Sequence, residues 1–245
     1  MNARDRFPAA LLGLLTALAP LACRAETGAV PKPLSLEWAG DPPKIEDRCE
    51  ATDLRYATAP LFRIAPAEPG ERMYLLARKE ACAAGARCPH RQRLYLVAGD
   101  AVFAGPEDRG FRCVYYGSRR GELIAGFVPA QSLAPLAAET ALDRAFLLGD
   151  WRRDAASRIA IRAAGAAGIA ASGEGHWKGV ASVNVGEFHA KADAVSSPVF
   201  VLREGSDGCA VALERRGPYL LANDNERCGG HNVRFVGIYI RQTVR

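Results

Sequence analysis

The chain has 245 residues, 49% hydrophobic and 24% charged, a balance that supports a packed core and excludes a largely disordered polypeptide. Its net charge is +5, carried almost wholly by arginines that scatter into doublets at Arg119-Arg120, Arg152-Arg153 and Arg215-Arg216. So weak and dispersed an excess excludes a dedicated nucleic-acid surface; it reads as solvated turns, with an anionic envelope polymer as the sharper alternative.

The first elements set the compartment. Arg4 and Arg6 precede an apolar stretch from Pro8 to Ala22 that only Gly13, Thr16 and Pro20 interrupt. That stretch is shorter than the about 20 apolar residues a membrane span needs, and it ends in small residues, so residues 1–25 read as a secretory signal peptide. Cleavage after Ala25 yields a periplasmic or secreted protein starting at Glu26, with no transmembrane helix left. In the alternative, Pro20-Leu21-Ala22-Cys23 resembles a lipobox and Cys23 becomes a lipid anchor.

Loss of the leader turns seven cysteines into six: Cys49, Cys82, Cys88, Cys113, Cys209 and Cys228. An even set in an exported chain points to disulfides. The isolated Cys209 and Cys228 form the firmest pair, closing a loop whose entropy is worth about 3 kcal/mol. Among the other four, Cys82 with Cys88 and Cys49 with Cys113 are preferred, and the two remaining connectivities stay open. No C-x-x-C knuckle and no histidine at finger spacing supports a metal.

Residues 26–53 are proline-rich and aperiodic, an extended arm. Residues 54–136 carry short apolar runs, such as Leu94 to Val97 and Ala101 to Phe103, cut by turns at Gly99-Asp100, Gly105-Pro106 and Gly117-Ser118. Tyr95-Leu96-Val97-Ala98-Gly99-Asp100-Ala101-Val102, then Gly110-Phe111-Arg112-Cys113-Val114, then Gly126-Phe127-Val128-Pro129-Ala130 with Leu133, resembles a bacterial SH3-like domain. Phe127 stands where that family has Trp, and Lys79 to Cys88 is a cysteine-bearing insertion. The resemblance implies a small barrel that binds wall peptides or serves as a spacer in the envelope.

Alanine-rich residues 137–148 read as a linker able to hold a short helical turn. Residues 149–245 then read as an antiparallel meander, with its clearest hairpin at Arg216-Gly217-Pro218. Gly149-Asp150-Trp151 near its start and Arg241 near its end resemble the calycin arrangement, in which the Trp closes the barrel floor and the Arg stacks on it. The closing stretch from Asn223 through Cys228-Gly229-Gly230 to Tyr239 resembles the ending of a group of exported bacterial proteins, some of which accompany lysozyme-inhibitor modules. Its residues read either as a structural corner of Asx-turns tied by Cys228 or as a ligand-binding loop. Asp224, Asn225, His231, Asn232 and Arg234 are the candidate binding groups.

Catalytic patterns are missing: no G-x-S-x-G, H-E-x-x-H, P-loop or G-x-G-x-x-G occurs. Glu187 and His189 share a strand face and represent the best acid-base pair, with no nucleophile spaced to join them. The fold expected is therefore all-β: an SH3-like small barrel followed by an antiparallel β-barrel or sandwich, both disulfide-stapled. The function expected is a non-catalytic envelope binding protein without cofactor or metal, contacting cell-wall material or an envelope protein and inhibiting a lysozyme in its most concrete form. The alternative is a carrier of a small apolar ligand in a cavity beneath Trp151.

Overall fold

The structure, a computed structural model, describes residues 49, 60–66, 68, 70–82, 88–118, 122–137, 140–195, 198–206 and 208–242. Residues 1–25, read as a leader, with Cys23, and all of the stretch read as an arm except Cys49 lie outside the described residues. Fifteen strands, one short α-helix and a single 3-10 turn at Ala130–Ser132 make up the described elements, so the protein is all-β.

The first seven strands are β1 (Leu61–Ile64), β2 (Met73–Leu76), β3 (Arg91–Leu96), β4 (Ala101–Asp108), β5 (Phe111–Gly117), β6 (Leu123–Pro129) and β7 (Leu133–Pro135). They form one sheet in the order β3-β2-β6-β5-β4-β1-β7, curled into a half-barrel. Ile64, Leu75, Leu96, Val102, Ala104, Val114 and Val128 fill its concave side. Cys49 is bonded to Cys113 on β5, and Cys82 to Cys88 ahead of β3.

After α1 (Arg144–Leu147) the chain runs through β8 (Gly149–Arg152), β9 (Ser157–Ala164), β10 (Gly168–Lys178), β11 (Val183–Ala192), β12 (Val199–Arg203), β13 (Ala210–Arg216), β14 (Tyr219–Asp224) and β15 (Gly237–Gln242). The sheet order β11-β10-β9-β8-β15-β14-β13-β12 is a meander whose last strand returns to pair with its first, Arg241 opposite Trp151. A nearly closed barrel results, with its seam between β11 and β12. Alternation drives the closure: Gly186, Phe188 and Ala190 point inward from β11 while Val185, Glu187 and His189 face solvent. The β13–β14 hairpin turns at Gly217-Pro218, where Gly217 takes φ +58, a conformation that a side chain with a Cβ disfavours.

Helix α1 is capped by Asp143, whose carboxylate accepts the Phe146 N–H at 2.7 Å, and it lies across one end of the barrel. Leu142 and Leu147, in the stretch that reads as a linker, are buried in the second core. Trp151, 1% exposed, donates its indole N–H to Leu147 O at 2.8 Å. The Arg241 guanidinium sits 4.7 Å from the Trp151 ring centroid and also donates to Phe146 O.

The two sheets share a core. Leu61, Phe103 and Tyr115 of the first pack with Tyr219, Leu221, Ile238 and Ile240 of the second. Tyr219 donates its hydroxyl hydrogen to Ala101 O at 2.5 Å and accepts the Gly117 N–H at 3.3 Å. A Cβ at Gly117 would lie 2.5 Å from Ile240, so glycine there is what lets the sheets approach. This contact explains why Tyr219-Leu220-Leu221-Ala222 is apolar without alternation: β14 is buried on both faces.

Candidate functional site

The end of the second barrel away from α1 is built from three segments: residues 153–156 between β8 and β9, the β10–β11 hairpin, and residues 225–236 between β14 and β15. The last of these enters the barrel. Phe235 is fully buried with its ring edge-on to Phe188, centroids 5.0 Å apart. Glycines open the wall to receive it: a Cβ at Gly173 would stand 2.1 Å from Phe188 and 2.8 Å from Phe235, and one at Gly186 would stand 2.4 Å from Cys228 O. The barrel interior is thus occupied by the protein's own aromatic and aliphatic side chains.

Asp224 holds this plug in place. Its carboxylate is fully buried, accepts Arg234 Nε–H and the Glu226 N–H, both at 2.8 Å, and also accepts the Phe235 N–H. Arg153 closes the clasp from the other side, donating to Arg234 O at 2.8 Å, Val236 O at 2.7 Å and Ser157 Oγ at 2.6 Å. Asn225 accepts the Ala210 N–H and donates to Gly208 O, each at 3.0 Å, beside the Cys209–Cys228 disulfide. Glu226 and Asn232 both adopt φ +65, left-handed backbone that the surrounding bonds impose. Tyr239 donates to Phe235 O from a fully buried site, where burial pushes its phenol well above the ordinary range and keeps it a donor.

Of the five binding candidates, Asp224, Asn225 and Arg234 spend their polar atoms on the protein itself, whereas His231 and Asn232 are exposed at the rim. The rim segment docks on β11 through Gly230 N–H to Val185 O at 3.1 Å and Asn184 Nδ2–H to His231 O at 2.6 Å. Next to it the β10–β11 hairpin exposes Trp177, Val180, Val183 and Val185, with Val180 entirely in solvent. Hairpin and rim together make a crown of apolar and polar groups on a rigid mount. Gly186→Ala is expected to push Cys228 and Gly229 off β11, lowering stability by about 1–3 kcal/mol in a urea melt and loosening the crown.

No family model matches this chain, and neither does any curated protein or solved structure. The crown must be judged on its own geometry.

Sequence reasoning missed the hairpin, because Trp177 falls at an inward position of its strand and reads as core. It reaches solvent only because β10 runs past the barrel rim. Arg153 was missed for a different reason: a doublet beside a turn gives no sign of burial. A further polar depression of about 460 Å³ lies on the outer face near the crown, lined by Asp150, Arg152, Asp154, Arg158, Glu174 and His176 among others. Arg158 donates to both Glu174 oxygens at 2.7 Å, and that hydrogen bonding holds the Glu174 carboxyl below its usual range. Arg162 pairs with Asp150 at 2.5 Å.

Glu187 and His189 face solvent on the same side of β11, opposite Glu174 and Ser172. Among the described residues, no hydrogen bond joins Ser172 to His189, so serine and imidazole are neighbours without the contact that would activate a nucleophile. Cys82, Cys88 and His90 bring their ligand atoms together, with His90 Nε2 3.4 Å from Cys88 Sγ. The two sulfurs are bonded to each other and the same nitrogen lies 2.7 Å from Glu80 O, so neither thiolate nor free imidazole is offered to a metal in this state.

Proposed function

We propose that this chain is an exported, non-catalytic binding protein that presents the crown of its second barrel to a target in the cell envelope, a lysozyme being the most concrete. The carrying observation is the hairpin tip: Trp177 is 37% exposed, Val180 110%, Val183 58% and Val185 48%, side by side with exposed His231 and Asn232. Apolar side chains held in water by a rigid scaffold and rimmed by polar groups have the anatomy of a protein-binding patch. Three disulfides support export, since such bonds persist in oxidising compartments. In this reading the half-barrel is an SH3-like spacer and the second barrel a calycin-like mount. The carrier alternative finds little support, because Phe188, Phe235 and Tyr239 already fill the interior.

Binding to, and inhibition of, a panel of lysozyme types tests the proposal directly. Wild-type protein is expected to bind at least one of them, and Trp177→Ala with Val180→Asp to weaken that binding by about tenfold or more while the variant still unfolds cooperatively, since Val180 lies wholly in water and neither side chain belongs to the buried cores. Absence of binding and inhibition across the panel at high concentration removes the lysozyme version. Equal binding by the double variant removes the crown.

A further inference from the structure

The first sheet carries a separate surface on its β3 edge. Tyr74 of β2 and Tyr95 of β3 are cross-strand partners with ring centroids 5.6 Å apart. Arg91 lays its guanidinium 4.6 Å from the Tyr74 centroid, and Arg72 lays its own 4.6 Å from that of Tyr95. Arg93 alternates onto the same face between Arg91 and Tyr95 and is exposed. Among the described residues, no carboxylate pairs with Arg72, Arg91 or Arg93. Beside them an open pocket of about 420 Å³ is lined by Tyr74, Cys88, Pro89, Arg91, Gln92 and Arg93.

Arg158, Arg162 and Arg234, by contrast, each face an acidic partner. Stacking on tyrosine restrains a long side chain and leaves the N–H edge of the guanidinium free, so part of the ordering cost of a bidentate contact is already met. Arg91 and Arg93 stand two residues apart along an extended strand, about 6.8 Å, which sets donor forks in a row. The stacked arginines occupy faces of Tyr74 and Tyr95 that a base would otherwise use, which disfavours single-stranded nucleic acid. A linear polymer recognised by its carboxylates suits such a row better.

We propose that Arg72 and Arg91, stacked on Tyr95 and Tyr74, together with Arg93 on the same face of the β3 edge, form a docking strip for a linear acidic polysaccharide, to whose carboxylates the guanidinium N–H groups donate. The inference is independent of the crown, since the two surfaces belong to different sheets.

The test is affinity electrophoresis and calorimetric titration of the full chain with polygalacturonate, with neutral dextran and with single-stranded DNA of equal charge. Polygalacturonate is expected to bind, more weakly as salt rises, and dextran not to bind. Arg91→Glu with Arg93→Glu is expected to lose about tenfold or more in affinity, while Arg203→Glu, an exposed charge reversal on the other sheet, and Trp177→Ala bind as wild type does. Should the double Glu variant fail to fold, Arg91→Gln with Arg93→Gln reads out the same loss. Three outcomes overturn the proposal: no binding by wild type, which leaves the strip as a guard against edge-to-edge strand pairing; undiminished binding by the folded double variant; or tighter binding to the DNA than to the polysaccharide.

Discussion

Replacing Asp224 with alanine is expected to lower stability by about 2–3 kcal/mol and to release the plug from the barrel. The carboxylate is fully buried and accepts from Arg234, from the Glu226 N–H and from the Phe235 N–H. Without it the buried Phe235 N–H loses its acceptor, and an orphaned donor of that kind costs about 1–3 kcal/mol alone. Arg234 contributes less to the loss, because its side chain is 34% exposed and recovers water. The Cys209–Cys228 disulfide still ties the segment to β13, so local release is expected rather than collapse of the whole barrel. The urea midpoint and hydrogen exchange at the Phe235 amide measure the two effects. His231→Ala serves as the contrast, since its side chain is at the rim and its removal should leave both unchanged. An unaltered midpoint in Asp224→Ala would show that the clasp contributes nothing to the fold.

Tyr219→Ala is expected to cost about 3–5 kcal/mol and to uncouple the two sheets. Tyr219 is 3% exposed, its ring centroid is 5.0 Å from that of Phe103, and its hydroxyl bridges Ala101 O and Gly117 N across the interface. Truncation leaves a cavity between Leu61, Tyr115 and Ile240 and strands two backbone groups of the first sheet. Tyr219→Phe separates these terms: it keeps the packing, loses the bridge and should cost about 1–3 kcal/mol. Because the sheets share this core, wild-type protein is expected to melt in one calorimetric transition and Tyr219→Ala in two. Two transitions already in the wild type, with only one moved by the substitution, would show that the interface does not couple them.

Local pattern made much of the fold legible. Alternation along β9 and β11, the reversal at Gly217-Pro218 and the even cysteine set all act over a few residues or through simple counting, and the strands, the hairpin and the three disulfides follow them. The candidate site was legible only in part. Asp224 and Asn225 drew notice because Asx-turn residues beside a cysteine mark a special loop, and Arg234 as a polar group of that same loop, but turn chemistry does not say whether such a loop faces water or the barrel. Phe235 decided that by entering the space that Gly173 and Gly175 of β10 leave open, about 60 residues earlier in the sequence.

Composition and period-two patterning by themselves determined that this chain is a disulfide-linked all-β protein, because hydrophobic burial on a pleated strand is written residue by residue. Tertiary structure alone decided the rest: that Tyr219 and Ile240 look outward into a core shared between sheets, that Arg153 is a half-buried clasp although its neighbour in the doublet lines an open depression, and that Trp177 projects into water from an inward-reading position. Each depends on which faces meet when the meander closes and where a strand outruns its neighbours. Those are properties of long-range packing, which no local period encodes.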